Sequence, residues 1–279
     1  MKDLTKRFVV SLTISSILLA FVVFSTHGWV RVLLTILIGV MGAIGIWEYA
    51  RFAKVKDLQP ATRWMMGAGF CEVLCFHIAS LCTSCAQLPL IILVFSAILF
   101  FLLHFRDPTR SLIHVAIEFF GLCYVAVPLG MMLTVLYMQG TEDGRIWIAY
   151  LIVVTKIVDV SGYFVGKLLG RRPLAPVLSP QKTIEGSIGG FISAVIVSIG
   201  FYFLSFHVTG FHLSLTWALV LGMGIGVLGQ VGDLAESMFK RDAAVKDSNN
   251  LPGLGGILDL LDSLIFTSPL VYLFLRMAA

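Results

Sequence analysis

The sequence is poor in charged residues. Only 13% of its 279 residues are charged, whereas 58% are apolar, and soluble domains typically have about 25% charged and 45–50% apolar residues. The mean hydropathy is +0.95. This composition excludes an ordinary soluble domain and predicts an all-α polytopic membrane protein. The net charge of +4 is explained below by topology, so we expect no nucleic-acid partner.

The chain also lacks the cysteine pattern of a metal or disulfide framework. Its five cysteines all lie in apolar surroundings, and Cys82-Thr-Ser-Cys85 is a lone C-x-x-C without a second pair or a histidine at ligand spacing. These features argue against zinc and favour small membrane-embedded side chains. There is no convincing internal repeat, and no small-residue cleavage site follows the first apolar run, so we interpret that run as an uncleaved helix.

Long apolar runs predict about nine transmembrane helices. Each approaches or exceeds the ~20 residues that a helix needs to cross the hydrocarbon core. The predicted spans are 8–24, 29–47, 64–82, 87–105, 113–137, 146–166, 184–206, 214–232 and 257–276.

The distribution of Lys and Arg predicts the orientation of these spans. If the N-terminus is cytoplasmic, 16 of the 20 basic residues lie in cytoplasmic segments and three lie on the opposite side, while Lys156 lies within a span. This bias favours an N-in, C-out arrangement. A bacterial-type inner membrane fits this pattern, although an organelle membrane would give the same one.

The most polar stretch of the chain is 233–262, between two apolar runs. It holds six of the sixteen carboxylates and three cations. Five polar residues lie on one face of a predicted helix because they are spaced at i, i+3, i+4, i+7 and i+8: Asp233, Glu236, Ser237, Lys240 and Arg241. The alternative interpretation is a solvated amphipathic helix with internal salt bridges.

Asparagine, proline and glycine residues at 249–256 are expected to break this helix, and a second helix is predicted to begin near Ile257. Asp259 and Asp262 share a face of the second helix. Carboxylate oxygens are the ligands that Mg²⁺ prefers, and lysines beside bare glycine backbone suit phosphate oxygens.

A second polar region spans 156–190. Lys156 and Asp159 are three residues apart and can pair within a span, either as a structural pair or at a wet polar cavity near the cytoplasmic end. Ser179 and Pro180 are predicted to be the N-cap and first residue of the next helix. That would put Lys182 in a helical first turn, where it suits a phosphate. Glycines 186, 189 and 190 predict close helix packing.

Together these segments resemble the phosphatidate cytidylyltransferase (CDP-diacylglycerol synthase) family. That family's C-terminal signature runs roughly S-x-x-K-R-x4-K-D, then P-G-H-G-G, then D-R-x-D. The matching residues of this chain are Ser237, Lys240, Arg241, Lys246, Asp247, Pro252, Gly253, Gly255, Gly256, Asp259 and Asp262. The stretches GDLAES, SPQKTIEG and DVSGYFVGK resemble further family segments, so the likeness covers 159–262.

The resemblance implies that a cytidylyl group passes from CTP to phosphatidic acid, giving CDP-diacylglycerol and pyrophosphate with the help of Mg²⁺ and room for a second cation. The implied catalytic set is Asp233, Lys240, Arg241, Lys246, Asp247 and Asp259. The implied substrate-binding set is Ser179, Lys182, Thr183, Glu236, Ser237, Gly253, Gly255 and Gly256. The implied metal ligands are Asp233, Asp247, Asp259 and Asp262, and Asp159 is assigned to the polar cavity.

Three residues depart from the family pattern. Leu254 and Leu260 stand where the signature has His and Arg, and Gln181 replaces a lysine. A catalytically impaired family member is therefore one alternative. A membrane transporter is another, although it would usually show repeated or discontinuous spans in both halves, whereas the chemistry here is confined to one half.

The polar motifs divide the chain into two expected domains. Residues 146–279 are predicted to form a catalytic transmembrane domain with cytoplasmic loops at 167–183 and 233–256 and a polar cavity on that side. Residues 1–145 are expected to provide packing, a lipid-facing wall or an oligomer contact such as that of a homodimer. Glu48, Glu72 and Glu118 lie at or within apolar runs there, without a motif around any of them.

Overall fold

The structure is a computed structural model that describes residues 22–138, 140–245, 248–249 and 255–278. Helices dominate it. The longer helices are α1 (Gly28–Lys54), α2 (Thr62–Leu81), α3 (Leu88–His104), α4 (Ser111–Gly121), α5 (Val127–Leu136), α6 (Gly144–Leu169), α7 (Ile184–Ser205), α8 (Leu215–Asp242) and α9 (Ile257–Ala278). A 3-10 turn covers Thr83–Cys85, a π-helical turn at Leu122–Ala126 joins α4 to α5, and strands β1 (Pro173–Ala175) and β2 (Ser179–Thr183) precede α7.

Eight helical segments of the described part are long and apolar enough to cross a membrane. They coincide with eight of the predicted spans, with α4 and α5 acting as one. The first predicted span, 8–24, lies almost wholly outside the described residues. Large apolar side chains such as Leu112, Phe95 and Ile196 are exposed, as expected of lipid-facing surfaces. The chain is thus an integral, all-α polytopic membrane protein.

The chain divides into two compact units. One holds the described residues up to Thr134 together with Asp242–Leu260, and the other holds Val135–Arg241 and Leu261–Ala279. A boundary therefore falls inside the first turn of α9, between Asp259 and Asp262.

Small residues allow the helices of the first unit to pack closely. A Cβ on Gly39 would lie 2.8 Å from the Phe70 ring, and one on Gly45 would lie 3.2 Å from Val125. The fully buried core includes Ile46 and Leu122, the latter in the π-helical turn. This packing brings α1 and α2 against the π-helical segment.

Glycines also join α6 to α7 in the second unit. A Cβ on Gly186 would lie 2.6 Å from the carbonyl oxygen of Gly162, and one on Gly190 would lie 2.9 Å from that of Val158. The close packing predicted for glycines 186, 189 and 190 is confirmed. At the other end of α6, the buried Trp147 ring contacts Phe211 and Phe274 at centroid distances of 4.7 and 5.4 Å.

The prediction that Ser179 and Pro180 begin a helix is wrong. Residues Ser179–Thr183 form β2, which pairs antiparallel with β1, so Lys182 lies in a strand. Helix α7 begins at Ile184 instead, because the Thr183 hydroxyl accepts a hydrogen bond from the Gly186 N–H at 3.1 Å. This is the side-chain cap that a helix start favours. The cap is Thr183, four residues after the predicted cap Ser179.

The polar face at 233–241 is confirmed as helical, but it is the end of a longer helix. Helix α8 runs unbroken from Leu215 to Asp242, so the apolar span and the polar segment are one element. The helix ends seven residues before Asn249, where the sequence predicted the break, and Ala244 adopts a positive φ of 52° just beyond it. The predicted start of the second helix at Ile257 is confirmed.

Candidate active site

A cavity of about 530 Å³ lies within the second unit. It is lined by α6, the β1–β2 hairpin, the first turn of α7 and the polar end of α8, and its size is typical of a small-molecule site. Its polar lining residues are Asp159, Tyr163, Lys167, Ser179, Gln181, Lys182, Thr183, Ser187, Gln230 and Asp233. The structure therefore gathers Ser179, Lys182, Thr183, Asp233 and Asp159 into one place, although they are up to 74 positions apart in the sequence.

Lys182 and Asp233, which both line this cavity, form an ion pair. Lys182 extends from β2, and its ammonium group donates to the carboxylate of Asp233 on α8. Both side chains keep more than a quarter of their surface exposed. The pair is thus accessible from the cavity, where an incoming anion can compete for the lysine.

Two further carboxylates lie close to this pair. The Ser263 hydroxyl lies 2.8 Å from Asp262 Oδ1 and 3.4 Å from Asp159 Oδ2, so it links the two side chains. Lys156 Nζ lies 3.7 Å from Asp159, which confirms the pairing predicted from their spacing. Each of the two carboxylates is within electrostatic range of Asp233. Three carboxylates and two lysines thus form one cluster.

Close helix contacts place this cluster. A Cβ on Gly232 would overlap the carbonyl oxygen of Asp262, so α8 and α9 touch one residue before Asp233. On the other side of α8, the Gln230 amide bonds the Ser187 hydroxyl and donates to the Ser187 carbonyl at 3.2 Å. Neither Gln230 nor Ser187 was predicted from the sequence as a site residue. Their only signal was polarity within apolar runs.

Three other polar residues of α8 bind one another or the hairpin. Glu236 is fully buried and pairs with Lys240, one helical turn away. Arg241 Nε donates to the Leu178 carbonyl at 3.0 Å, which attaches the end of α8 to the hairpin. Ser237 is half-buried. The lining of the 530 Å³ cavity includes none of the residues Glu236, Ser237, Lys240 and Arg241.

Asp259 lies in the first unit and binds its own loop. Its Oδ2 accepts hydrogen bonds from the backbone N–H groups of Gly256 and Ser248 at 2.7 and 3.1 Å, and lies 2.9 Å from the Ser248 hydroxyl. The contact with Gly256 is that of a capping box at the start of α9. Gly255 has a φ of +78°, which favours glycine, and a Cβ there would lie 2.8 Å from Asp259 Oδ2.

Glu48 of α1 was noted in the sequence as a carboxylate in an apolar run, without an assigned role. In the structure it binds the same loop as Asp259. It is fully buried, and its carboxylate accepts hydrogen bonds from the backbone N–H groups of Ile257 and Leu258 at 3.1 and 2.8 Å. About 210 residues separate these partners, so no local motif could have linked them.

Lys246, Asp247 and Gly253 of the predicted site, with Leu254 of the altered signature, lie outside the described residues. Within the described part, no group of three or more His, Cys, Asp or Glu side chains is arranged to hold a metal ion. The carboxylates that line the cavity nevertheless provide hard oxygen donors. Hydroxyl and ammonium groups line the same cavity.

Fold and site together define an integral membrane protein whose helices enclose a cavity lined by lysine and aspartate side chains. A family model described as the cytidylyltransferase family matches residues 5–278. The chain therefore belongs to the cytidylyltransferase family, which confirms the resemblance seen in the sequence.

Relatives support this assignment along the chain. A phosphatidate cytidylyltransferase of Chlamydia pneumoniae is 31% identical over 286 residues, covering 98% of this chain and 92% of the relative. One of Chlamydia trachomatis is 33% identical over 285 residues, covering 97% and 92%. A third, of Staphylococcus haemolyticus, is 43% identical over 142 residues, or about half of each chain.

Proposed function

We propose that the protein transfers a cytidylyl group from CTP to phosphatidic acid, giving CDP-diacylglycerol and pyrophosphate. The observation that carries this proposal is the Lys182–Asp233 pair inside a 530 Å³ cavity. Both residues belong to stretches that resemble the family segments. Relatives that carry the name phosphatidate cytidylyltransferase, matched over nearly the whole chain, support the choice of substrates.

The reaction needs little acid–base chemistry. An anionic phosphate oxygen of phosphatidic acid attacks the α-phosphorus of CTP, a new P–O bond forms, and the bond to the bridging oxygen of the leaving pyrophosphate breaks. Catalysis then depends on bringing anions together and neutralising the charge that moves to the leaving group. Lys182 and Lys167, which line the cavity, are the cations placed to bind phosphate oxygens.

The residues present fit a divalent cation. Mg²⁺ is usually held by one or two carboxylates together with substrate phosphates rather than by a complete protein cage, and Asp233 and Asp159 line the cavity. Asp233 and Asp262 would hold the ion, and Asp247 and Asp259 remain in the proposed ligand pool. Such an ion would stabilise negative charge on the transferring and leaving phosphates.

The proposed topology supports access by both substrates. Nine spans with the N-terminus inside would put the β1–β2 hairpin and the end of α8 at the cytoplasmic face of a bacterial-type inner membrane, where CTP is available. Lipid would enter sideways between the spans. Residues 146–279 would then contain the catalytic domain, and residues 1–145 would provide packing, a lipid-facing wall or a homodimer contact.

The test is CDP-diacylglycerol formation by purified protein in detergent, with CTP and phosphatidic acid, with and without Mg²⁺. We expect product only with the metal. Asp233→Asn should lower turnover at least 100-fold, because it removes the charge that pairs with Lys182 and the best-placed ligand. Asp107→Asn is the matched control, since Asp107 is an exposed loop carboxylate that bonds Thr109.

The altered signature gives the experiment a second arm. Product from a Leu254→His, Leu260→Arg double variant alone would identify the parent as a catalytically impaired family member. If neither protein forms product while both remain folded and monodisperse, the proposal fails, and transport assays in vesicles would test the remaining alternative.

A further inference from the structure

We propose that Glu48 is a positioning residue that holds the described part of the glycine-rich loop, residues 248–249 and 255–256 and called the signature loop below, in its active geometry. The proposal deepens the function argued above and rests on it. Its basis is a set of contacts within the first unit, where one carboxylate from α1 binds both the loop and the start of α9.

Four hydrogen-bond donors surround the Glu48 carboxylate. Its Oε1 accepts from Asn249 Nδ2 and from the Ile257 N–H, each at 3.1 Å. Its Oε2 accepts from the Ser248 hydroxyl at 2.9 Å and the Leu258 N–H at 2.8 Å. The residue is 0% exposed, so these donors replace the water that a carboxylate would otherwise bind.

Two of these donors are the first N–H groups of α9. The first N–H groups of a helix have no partner within it, and a negative charge beside them is favourable. Glu48 thus caps α9 from a distant helix, while Asp259 caps the same turn from within. These two N–H groups can only donate, and each faces a different carboxylate oxygen, so an uncharged amide at position 48 would turn its NH₂ group towards one of them.

Ser248 connects Glu48 to Asp259. Its hydroxyl oxygen lies 2.9 Å from Glu48 Oε2 and 2.9 Å from Asp259 Oδ2. A hydroxyl has one hydrogen, so it donates to one carboxylate at a time. A change at Glu48 therefore alters whether the Ser248 hydroxyl donates its hydrogen bond to Asp259. Asp259 is a member of the proposed metal-ligand pool. This is how a residue outside the signature can influence turnover.

The decisive comparison is Glu48→Gln against Glu72→Gln. Glu72 is an equally buried carboxylate of the same unit, at 1% exposure in α2, but it makes no described contact with the loop. For Glu48→Gln we expect faster amide hydrogen exchange at residues 255–259. We also expect kcat to fall about 10–100-fold, the usual cost of losing a residue that orients a ligand, with a change in KM for CTP of less than about threefold. Glu72→Gln should leave exchange at 255–259 and kcat unchanged.

Two more variants keep the proposal testable if Glu48→Gln folds poorly. Glu48→Asp retains the charge and both acceptors, so it should recover part of kcat and of the exchange protection. Ser248→Ala should lower kcat, and its effect should not add to that of Glu48→Gln because both act through one contact.

The two readouts separate this inference from the proposed function. Unchanged exchange at 255–259 in Glu48→Gln overturns the positioning role whether or not the parent forms CDP-diacylglycerol. Faster exchange with unchanged kcat in an active enzyme also overturns it, as does an equal loss of kcat in Glu72→Gln. An inactive parent with faster exchange in Glu48→Gln would refute the reaction, while the loop contact itself would stand.

Discussion

Single residues decide the geometry of the signature loop, and the sequence revealed only some of them. Gly255 and Gly256 were predicted site residues, and the structure gives each a physical reason. Gly255 has a positive φ, whereas Gly256 faces Ser248 and Glu48 so closely that no side chain fits. Asp259 was predicted as a metal ligand, and the contact that the structure shows is a capping one with the Gly256 N–H.

Gly256→Ala should destabilise the protein and abolish turnover. The added Cβ would overlap the Ser248 hydroxyl and lie 2.6 Å from Glu48 Oε2. Because backbone and buried charge must move to make room, we expect a cost of about 1–3 kcal/mol, measured as a lower Tm in detergent. Gly67→Ala in α2 is the control, since nothing lies within 4 Å of a Cβ there. Equal Tm values for the two variants would contradict the packing described.

Residue-level prediction succeeded where spacing along one helix was sufficient. The Lys156–Asp159 pair and the shared face of Asp233, Glu236 and Lys240 follow from helical periodicity alone. Glu48 could not be assigned, because its partners lie about 210 positions away. Its isolation in an apolar run was the only available signal.

At the scale of elements, helix ends were predicted less well than helices. The Ser-Pro pair at 179–180 has the composition of a helix start. In the structure these residues instead pair with β1, and Thr183 caps the helix that follows. Lys182 therefore lies in a strand beside α8 rather than in the first turn of a helix. From this strand the lysine reaches Asp233, a contact that the sequence did not predict.

Helix α6 begins at a cap that should be sensitive to acid. Asp143 accepts hydrogen bonds from the Arg145 N–H and guanidinium at 2.9 Å, and the guanidinium hydrogen bond lowers the pKa of that carboxyl below its ordinary value of 3.8. A depressed folded-state pKa contributes stability that is present above the unfolded value and is lost as the pH falls through the folded value.

Thermal unfolding in detergent between pH 6 and pH 3 should therefore show part of the parent's stability disappearing below about pH 4. Asp143→Asn should lower Tm at pH 6 and flatten this dependence, because it has no carboxyl to protonate. Arg145→Gln should flatten it too, since it removes the donor that lowers the pKa. Parallel Tm profiles for parent and both variants would refute the assignment.

At the scale of the whole molecule, charge and hydropathy govern the relation to the membrane. The eight apolar helical segments of the described residues, with their exposed side chains, agree with an integral membrane protein. The orientation depends on the basic residues of the connecting segments, and it remains a prediction. The cysteines offer a direct way to test it.

Cys82 should react with a membrane-impermeant thiol reagent added to intact cells. It is exposed in the short connection between α2 and the 3-10 turn, which the N-in arrangement puts outside. A hydrogen bond from the backbone of Ser84 lowers the pKa of its thiol, which raises the reactive thiolate fraction. A Cys82→Ser, Cys85→Ser double variant should lose the labelling. If the parent is labelled only after permeabilisation, Cys82 lies on the cytoplasmic side and the predicted N-in orientation is wrong.

The sequence alone determined the class of protein, the approximate position of the spans and the family, because hydropathy, charge and signature motifs are local properties of the chain. Only the tertiary structure decided which polar groups meet. Lys182 reaches Asp233, Ser263 joins Asp159 to Asp262, and Glu48 caps α9. These contacts depend on how glycine-lined helices pack in three dimensions. The polar residues that meet have no regular spacing along the sequence, so periodicity could not predict their contacts.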